Sequence, residues 1–265
     1  MKIKAVALDM DGTLLTSNHH PSERTKKFLL ELEKRGVTII IATGRAYYST
    51  LPIIKEIGLK SGFVICYNGA NVFNSEDNSL VFQNNLEEEY VKKMIEISRE
   101  TNTHLNLYQD DILYCEDVNR EEVIYYSNKC SIKAHEKDFD TFENYNIPKN
   151  LFIAPYEKLI ELEKLVLKRT NNNVHTTFSS RIFLEVLNKN TNKGETLKWL
   201  LNNLNISLEE TCAFGDAEND FEMLKVVKYG VAMGNAQEDF KKRLNYSTLN
   251  NDEDGIVEFL KKICK

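Results

Sequence analysis

The stretch Ala5-Val6-Ala7-Leu8-Asp9-Met10-Asp11-Gly12-Thr13-Leu14-Leu15 decides the fold. A short apolar run, Ala5 to Leu8, stops at two acids with one residue between them. Such a run, bounded by a turn signal, predicts a strand buried on both faces. The acids then stand at the carboxyl end of that strand, where open α/β sheets place their ligands. Gly12 permits the sharp turn that follows. Two carboxylates in a crowded site repel each other and lose hydration. A divalent cation relieves both costs. Mg²⁺ fits best, because it takes oxygen ligands and keeps waters and substrate phosphates in its shell. Asp-x-Asp-Gly is also a common turn sequence, so these residues alone leave a plain turn open.

The pattern repeats along the chain. Pro21 and Ser22 open a helix that Gly36 closes. A second buried strand, Val37 to Ala42, ends in Thr43-Gly44-Arg45. A helix then runs to Ile57, where Gly58 stops it, and a third strand, Phe63 to Tyr67, ends in Asn68-Gly69-Ala70. Much later a helix opens at Lys193-Gly194 and continues through Trp199 and Leu204. The strand Thr211 to Phe214 ends in Gly215-Asp216-Ala217-Glu218-Asn219-Asp220. A helix carries Phe221, Met223, Leu224 and Val227, and a last strand, Tyr229 to Met233, ends in Gly234-Asn235. Helices Ala236 to Leu244 and Ile256 to Ile263 close the chain. Alternating strands and helices imply right-handed crossovers and a parallel sheet. The fold class is therefore α/β, with a doubly wound, Rossmann-like core.

The middle reads differently. Leu86 to Arg99 and Tyr156 to Lys168 are amphipathic helices. His104 to Tyr108 and Ile112 to Cys115 flank Asp110-Asp111 as a hairpin would. Leu151 to Ala154, Val174 to Phe178 and Ile182 to Leu187 add strands. This predicts an inserted α+β module on an antiparallel sheet. Residues 1–82 and 186–265 then form the core domain, and residues 83–185 the insert.

Composition narrows the function. The chain has 265 residues, 42% apolar and 28% charged, with a formal net charge of -6. That balance speaks against nucleic acid as the main partner, which would demand a basic face. It leaves a small phosphorylated substrate open, since that needs only a local positive pocket. The cysteines, Cys66, Cys115, Cys130, Cys212 and Cys264, are scattered and odd in number. Cys66 and Cys212 read as small core residues, and a reducing compartment fits. Asp9 and Asp11 interrupt any signal-peptide stretch, and no run reaches transmembrane length. A cytoplasmic protein without a membrane partner is expected. Oligomeric state is not legible.

Four segments now carry a resemblance. Asp9-Met10-Asp11-Gly12-Thr13, Thr43-Gly44-Arg45, Lys193-Gly194 and Gly215-Asp216-Ala217-Glu218-Asn219-Asp220 occur in that order. They resemble the four motifs of the haloacid dehalogenase superfamily of phosphohydrolases. The insert is similar to the large type IIB cap of the Cof-type subfamily. The resemblance implies a Mg²⁺-dependent phosphatase of small phosphorylated metabolites, sugar phosphates among them. It implies an aspartyl-phosphate intermediate, and a cap that chooses the substrate. A phosphomutase-type phosphotransferase and a non-catalytic phospho-accepting switch are the alternatives.

The resemblance also implies roles. Asp9 is the nucleophile and a metal ligand. Asp11 is the general acid, then the base, and its main-chain carbonyl binds the metal. Met10 offers only backbone to the phosphate. Thr43 offers its hydroxyl and Gly44 its N–H to the phosphoryl oxygens. Lys193 neutralises nucleophile and phosphate. Asp216 completes the metal shell, and Asn219 reaches the phosphoryl group or the metal's waters. Asp220 fixes Lys193 or a metal-bound water.

Plainer readings stay open. Thr43 suits a helix N-cap, and Asp220 a first-turn acid. Asn68 and Asn235 suit turns or a polar wall of the site. Arg45 suits either the substrate or an acid on its own helix. His19 and His20 read as solvated loop residues. The segment Val186 to Asn192 is more polar than the family usually shows there, without the expected glycine and proline.

Overall fold

The run Ala5–Asp9 is a strand whose five residues are all buried. In the computed structural model, which describes residues 3–130 and 132–263, it lies inside an eight-stranded sheet. Cys264 lies outside the described residues. From edge to edge the strands are Tyr246–Ser247, Tyr229–Ala232, Thr211–Gly215, Ala5–Asp9, Thr38–Ala42, Phe63–Cys66, Asn71–Asn74 and Leu80–Gln83. The first six run parallel, and Asn71–Asn74 turns back antiparallel on Phe63–Cys66. From Ala5–Asp9 the chain winds one way to Thr38–Ala42 and returns on the other side at Thr211–Gly215. Ala5–Asp9 is thus the switch point of a doubly wound sheet.

Both faces of this sheet are covered, which is why its strands read as unbroken apolar runs. On one face Ala5, Ala7, Ile40, Ala42 and Ala213 pack with Leu197, Leu200 and Leu201 of helix Lys193–Asn203 and with Met223 and Leu224 of helix Phe221–Val226. On the other face the Phe214 ring meets Phe259 of helix Gly255–Ile263 edge-on, with centroids 5.8 Å apart. Helix Glu23–Lys34 starts where its sequence says: the Ser22 hydroxyl accepts the Thr25 N–H at 3.0 Å. Helix Tyr47–Ile57 ends at Gly58 in a left-handed cap.

The insert has its own six-stranded sheet, in the order Val174–Ser180, Phe183–Asn188, Asn150–Ile153, His104–Gln109, Ile112–Cys115 and Ala134–Glu136. All neighbours are antiparallel except the last pair. Asp110 and Asp111 both take positive φ in the two-residue turn between paired Gln109 and Ile112. Helices Glu88–Thr101 and Tyr156–Arg169 cover one sheet face, burying Val91, Met94, Leu159, Leu162 and Val166 against Leu105, Leu107, Phe152 and Leu184.

Several expectations need correction. The chain divides into one unit up to Phe82 and from Asn192 onward, and another of Gln83–Thr191. The return thus comes at Asn192, not at residue 186. The reason is that strand Phe183–Asn188 stays paired through Asn188, opposite Val174. The polarity of this segment also finds its use. Asn188 donates to the Asn85 carbonyl at 3.0 Å, Asn84 donates to the Thr191 hydroxyl at 2.8 Å, and Asn192 caps the next helix through the Glu195 N–H at 2.9 Å. The insert holds a further helix, Glu121–Cys130, in which only Val123 and Tyr126 are buried, too few to show a period. Tyr246–Ser247 lies beyond the strand expected to be last, and the helix before it shrinks to Glu238–Lys241. Among the described residues, no helix is long and apolar enough to cross a membrane.

Candidate active site

Strand register levels the loops. Asp9 pairs with Ala42, Ala42 with Ile65, Leu8 with Phe214, and Gly215 with Ala232. Motif-bearing loops therefore leave the sheet side by side. Asp9, the last residue of its strand, is 6% exposed. The fully buried Lys193, at the start of its helix, donates to Asp9 Oδ1 at 2.6 Å and to Asp220 Oδ1 at 2.7 Å. Asp220 Oδ2 accepts the main-chain N–H groups of Asp216 at 3.0 Å and Ala217 at 3.1 Å. Asp220 is thus held from both sides, by the lysine and by the turn that carries Asp216. It is also a first-turn acid of the short helical turn Glu218–Asp220, whose leading N–H it accepts, so the plain helix-start reading holds for one carboxylate oxygen while the other takes Lys193. Asp216 in turn accepts the Thr13 hydroxyl at 2.9 Å.

The electrostatics follow from crowding. Carboxylate oxygens of Asp9, Asp216 and Asp220 all lie within 4.8 Å of one another. Burial pushes the Asp9 carboxyl well above its ordinary range, and Asp220 adds to this while Lys193 opposes it. Burial and then Asp220 push Asp216 up to about 6, against the Thr13 hydrogen bond. Burial alone would lower the Lys193 ammonium, but Asp220 and Asp9 outweigh it and keep it protonated. One lysine thus faces three carboxylates. That excess of negative charge in a dry site is what a divalent cation would balance.

The carboxylates expected at the metal, Asp9 and Asp216, come together, and Asp220, expected beside them at Lys193 or a metal-bound water, joins the cluster. The Asp11 carboxylate turns outward. The turn over Met10–Leu14 leaves helical geometry at Asp11, with ψ 115°, and at Gly12, with φ 82°. Asp11 meets Arg45 there in a two-pronged pair, with Arg45 Nε donating to Asp11 Oδ2 at 2.8 Å and a guanidinium NH₂ to Oδ1. Arg45 thus finds an acid on another segment, the turn after the first strand. Met10 is fully buried, so its side chain belongs to the core.

Thr43 is buried at the end of strand Thr38–Ala42, with its N–H on the Ile65 carbonyl at 2.8 Å. Its hydroxyl accepts the Arg45 N–H at 3.1 Å, which leaves its own hydrogen to donate elsewhere. Ala46, not Thr43, is the N-cap of helix Tyr47–Ile57. Asn219 donates to Asn68 Oδ1 at 3.0 Å, and Asn235 donates to the Gly12 carbonyl at 2.8 Å. His20 pairs with Glu56 at 2.8 Å on the surface. Asn68 and Asn235 thus serve as the polar wall that was one reading of them, and the partner of Thr13, within the first motif, had no signal in the sequence.

This geometry agrees with what the chain is similar to. A family model described as haloacid dehalogenase-like hydrolase matches residues 6–260. The chain belongs to the haloacid dehalogenase-like hydrolases. An HMP-PP phosphatase of Yersinia pseudotuberculosis is 33% identical over 97% of this chain and 94% of its own length. A haloacid dehalogenase-like hydrolase from Bacteroides thetaiotaomicron superposes with a TM-score of 0.91 at 32% identity, covering 99% of this chain and 100% of that one. A subclass IIB sugar phosphatase superposes with a TM-score of 0.84 at 26% identity, covering 98% of each. The chain is thus a Cof-type member with a Rossmann-like core and an inserted α+β cap, and an enzyme of the phosphatase kind.

Proposed function

We propose that this enzyme hydrolyses small phosphorylated metabolites, sugar phosphates among them, with Mg²⁺ and through a phosphoryl group carried on Asp9. The observation that supports this most is the buried Lys193 held between Asp9 and Asp220 beside Asp216. Lys193 screens the Asp9 carboxylate from an incoming phosphate anion, so that a carboxylate oxygen can approach phosphorus. The Thr43 hydroxyl, the Gly44 N–H and the Asn219 amide hold the phosphoryl oxygens. Asp11 gives a proton to the departing oxygen and later takes one from the attacking water. Before it can do so it must part from Arg45. Asp9 and Asp216, with the Asp11 main-chain carbonyl, would hold the Mg²⁺, and Asp220 would position Lys193 and the Asp216 turn. When bound, the ion balances carboxylate and phosphoryl charge.

Turnover is expected to need Mg²⁺ and to stop in EDTA; full activity in chelator overturns the metal assignment. The sign of a pH effect follows from the raised carboxyls. Unfolded Asp216 ionises near 3.8, but folded and metal-free it holds its proton to about 6. Across that window the unfolded chain ionises first, so the metal-free protein loses stability as pH rises. Mg²⁺ needs the ionised form. Its stabilising shift in Tm should therefore be larger at pH 7.5 than at pH 5. Equal shifts at both pH values contradict this.

Gly12 gives a second test. A Cβ there would stand 2.6 Å from Asp216 Oδ2, on a backbone with φ +82°. Gly12→Ala should push Asp216 aside and weaken Mg²⁺ by about tenfold or more, the cost of a left-handed alanine and a displaced ligand together. Titrating Mg²⁺ against Tm checks this, and an unchanged midpoint refutes it. The natural substrate calls for a panel of phosphorylated metabolites that includes sugar phosphates and HMP-PP. A pure protein that releases phosphate from none of them, nor from p-nitrophenyl phosphate, would overturn the reading.

A further inference from the structure

A turn outside the four motif segments ties three of them together. After strand Phe63–Cys66 the residues Tyr67, Asn68 and Gly69 all take positive φ, at 51°, 53° and 113°. Three left-handed residues in a row are strained for any chain that includes non-glycine side chains, and such strain persists only where surrounding contacts fix it. Together the contacts here reach three motif-bearing elements. Tyr67 N–H donates to the Arg45 carbonyl at 3.1 Å, and Asn68 N–H donates to the Thr43 carbonyl at 3.0 Å. The Gly69 carbonyl accepts the Thr196 hydroxyl at 2.7 Å, one turn into the helix that begins at Lys193. Asn68 Oδ1 accepts the Asn219 amide at 3.0 Å.

The Asn68 side chain sits at the centre of this arrangement. It is 2% exposed. Its amide packs so closely on Gly44 that a Cβ at residue 44 would stand 3.2 Å from both its Nδ2 and its Oδ1. Asn219, by contrast, is only half-buried, in the short helical turn Glu218–Asp220. An asparagine amide has two ends of opposite hydrogen-bonding character, and nothing in its shape decides which end faces an anion. The Asn68 acceptor decides it. Only the Asn219 NH₂ can lie against Asn68 Oδ1, so the second hydrogen of that NH₂ is aimed and the Asn219 carbonyl is turned away.

We propose that Asn68 is a positioning residue: it orients the Asn219 amide so that this group presents a donor, not an acceptor, to the phosphoryl oxygens. The proposal rests on the phosphatase reading above. Asn68 suits the place because asparagine tolerates left-handed backbone better than other side chains of its size. It acts through Asn219 and not on the substrate, so its effect should vanish when Asn219 is gone.

A double-mutant cycle tests this on the full-length protein with Mg²⁺. Asn68→Gly removes the side chain and suits the positive φ; its Tm is measured first. The readouts are the Kd for inorganic phosphate and kcat/KM for p-nitrophenyl phosphate. Asn68→Gly should weaken phosphate about tenfold, the scale of one hydrogen bond to a charged group. In the Asn219→Ala background the same change should cost about twofold or less. Gly44→Ala keeps the residue 44 N–H but displaces the Asn68 amide, so it should show the same loss and the same dependence on Asn219 without altering Asn68's backbone. It serves if Asn68→Gly does not fold. A tenfold loss that persists undiminished without Asn219, or no loss in either variant, overturns the proposal. A wild-type protein that binds phosphate but turns over no ester would count against the phosphatase reading, while the phosphate-affinity cycle would still decide the role of Asn68.

Discussion

Asp9→Asn is expected to reduce turnover by about 10³-fold or more, the scale seen when a nucleophile is removed, while Tm at neutral pH stays close to wild type. An amide is nearly isosteric with the carboxylate but cannot attack phosphorus or serve as an anionic ligand. The fold should tolerate it because burial and Asp220 already disfavour the ionised Asp9, so the neutral side chain relieves repulsion even as it weakens the contact to Lys193. kcat/KM for an aryl phosphate and a thermal melt measure the two halves. Activity above a few per cent of wild type would remove Asp9 from the nucleophile's place.

Much of this was legible because it depends on strand ends. Buried parallel strands announce themselves as short apolar runs, and parallel register brings their carboxyl ends level, so Asp9, Thr43, Asn68 and Gly215 were bound to meet along one sheet edge. Lys193 was legible as a helix start with an intact motif, and the structure brings it to Asp9. What stayed hidden depends on side-chain direction across long sequence separation. The Asp11–Arg45 pair arises because the Met10–Leu14 turn leaves helical geometry, which no periodicity encodes. The Thr13–Asp216 and Asn68–Asn219 bonds join residues far apart in sequence, and nothing local to either partner marks the other. Helix Glu121–Cys130 escaped because it buries so little. The sheet's added strands, Asn71–Asn74 and Leu80–Gln83, escaped because they lie toward an edge, where half-exposed residues blur the apolar signal.

Asp11→Asn should act on chemistry and not on substrate binding, with a loss of about 10²–10⁴-fold for a sugar phosphate. For an aryl phosphate the first step should suffer far less, because that leaving group departs without a proton. The second step, in which water must be deprotonated, suffers with either substrate. The variant also frees the Arg45 guanidinium from a charged partner, so its KM for phosphate esters should not rise. Steady-state kcat and KM for the two ester classes measure this. An equal loss of first-step rate for both would remove Asp11 from the acid's role.

Those two steps offer a direct test of the proposed phosphoryl group on Asp9. In Asp11→Asn mixed with an aryl phosphate and Mg²⁺, phosphoryl transfer to Asp9 should outrun its hydrolysis. Rapid acid quench, borohydride reduction of the acyl phosphate and peptide mass spectrometry then read the site directly. The account predicts homoserine at position 9, in an amount approaching one per chain and absent from Asp9→Asn. Phosphate release in the same mixture with position 9 left as aspartate, or a phosphoryl group found on another residue, would contradict it.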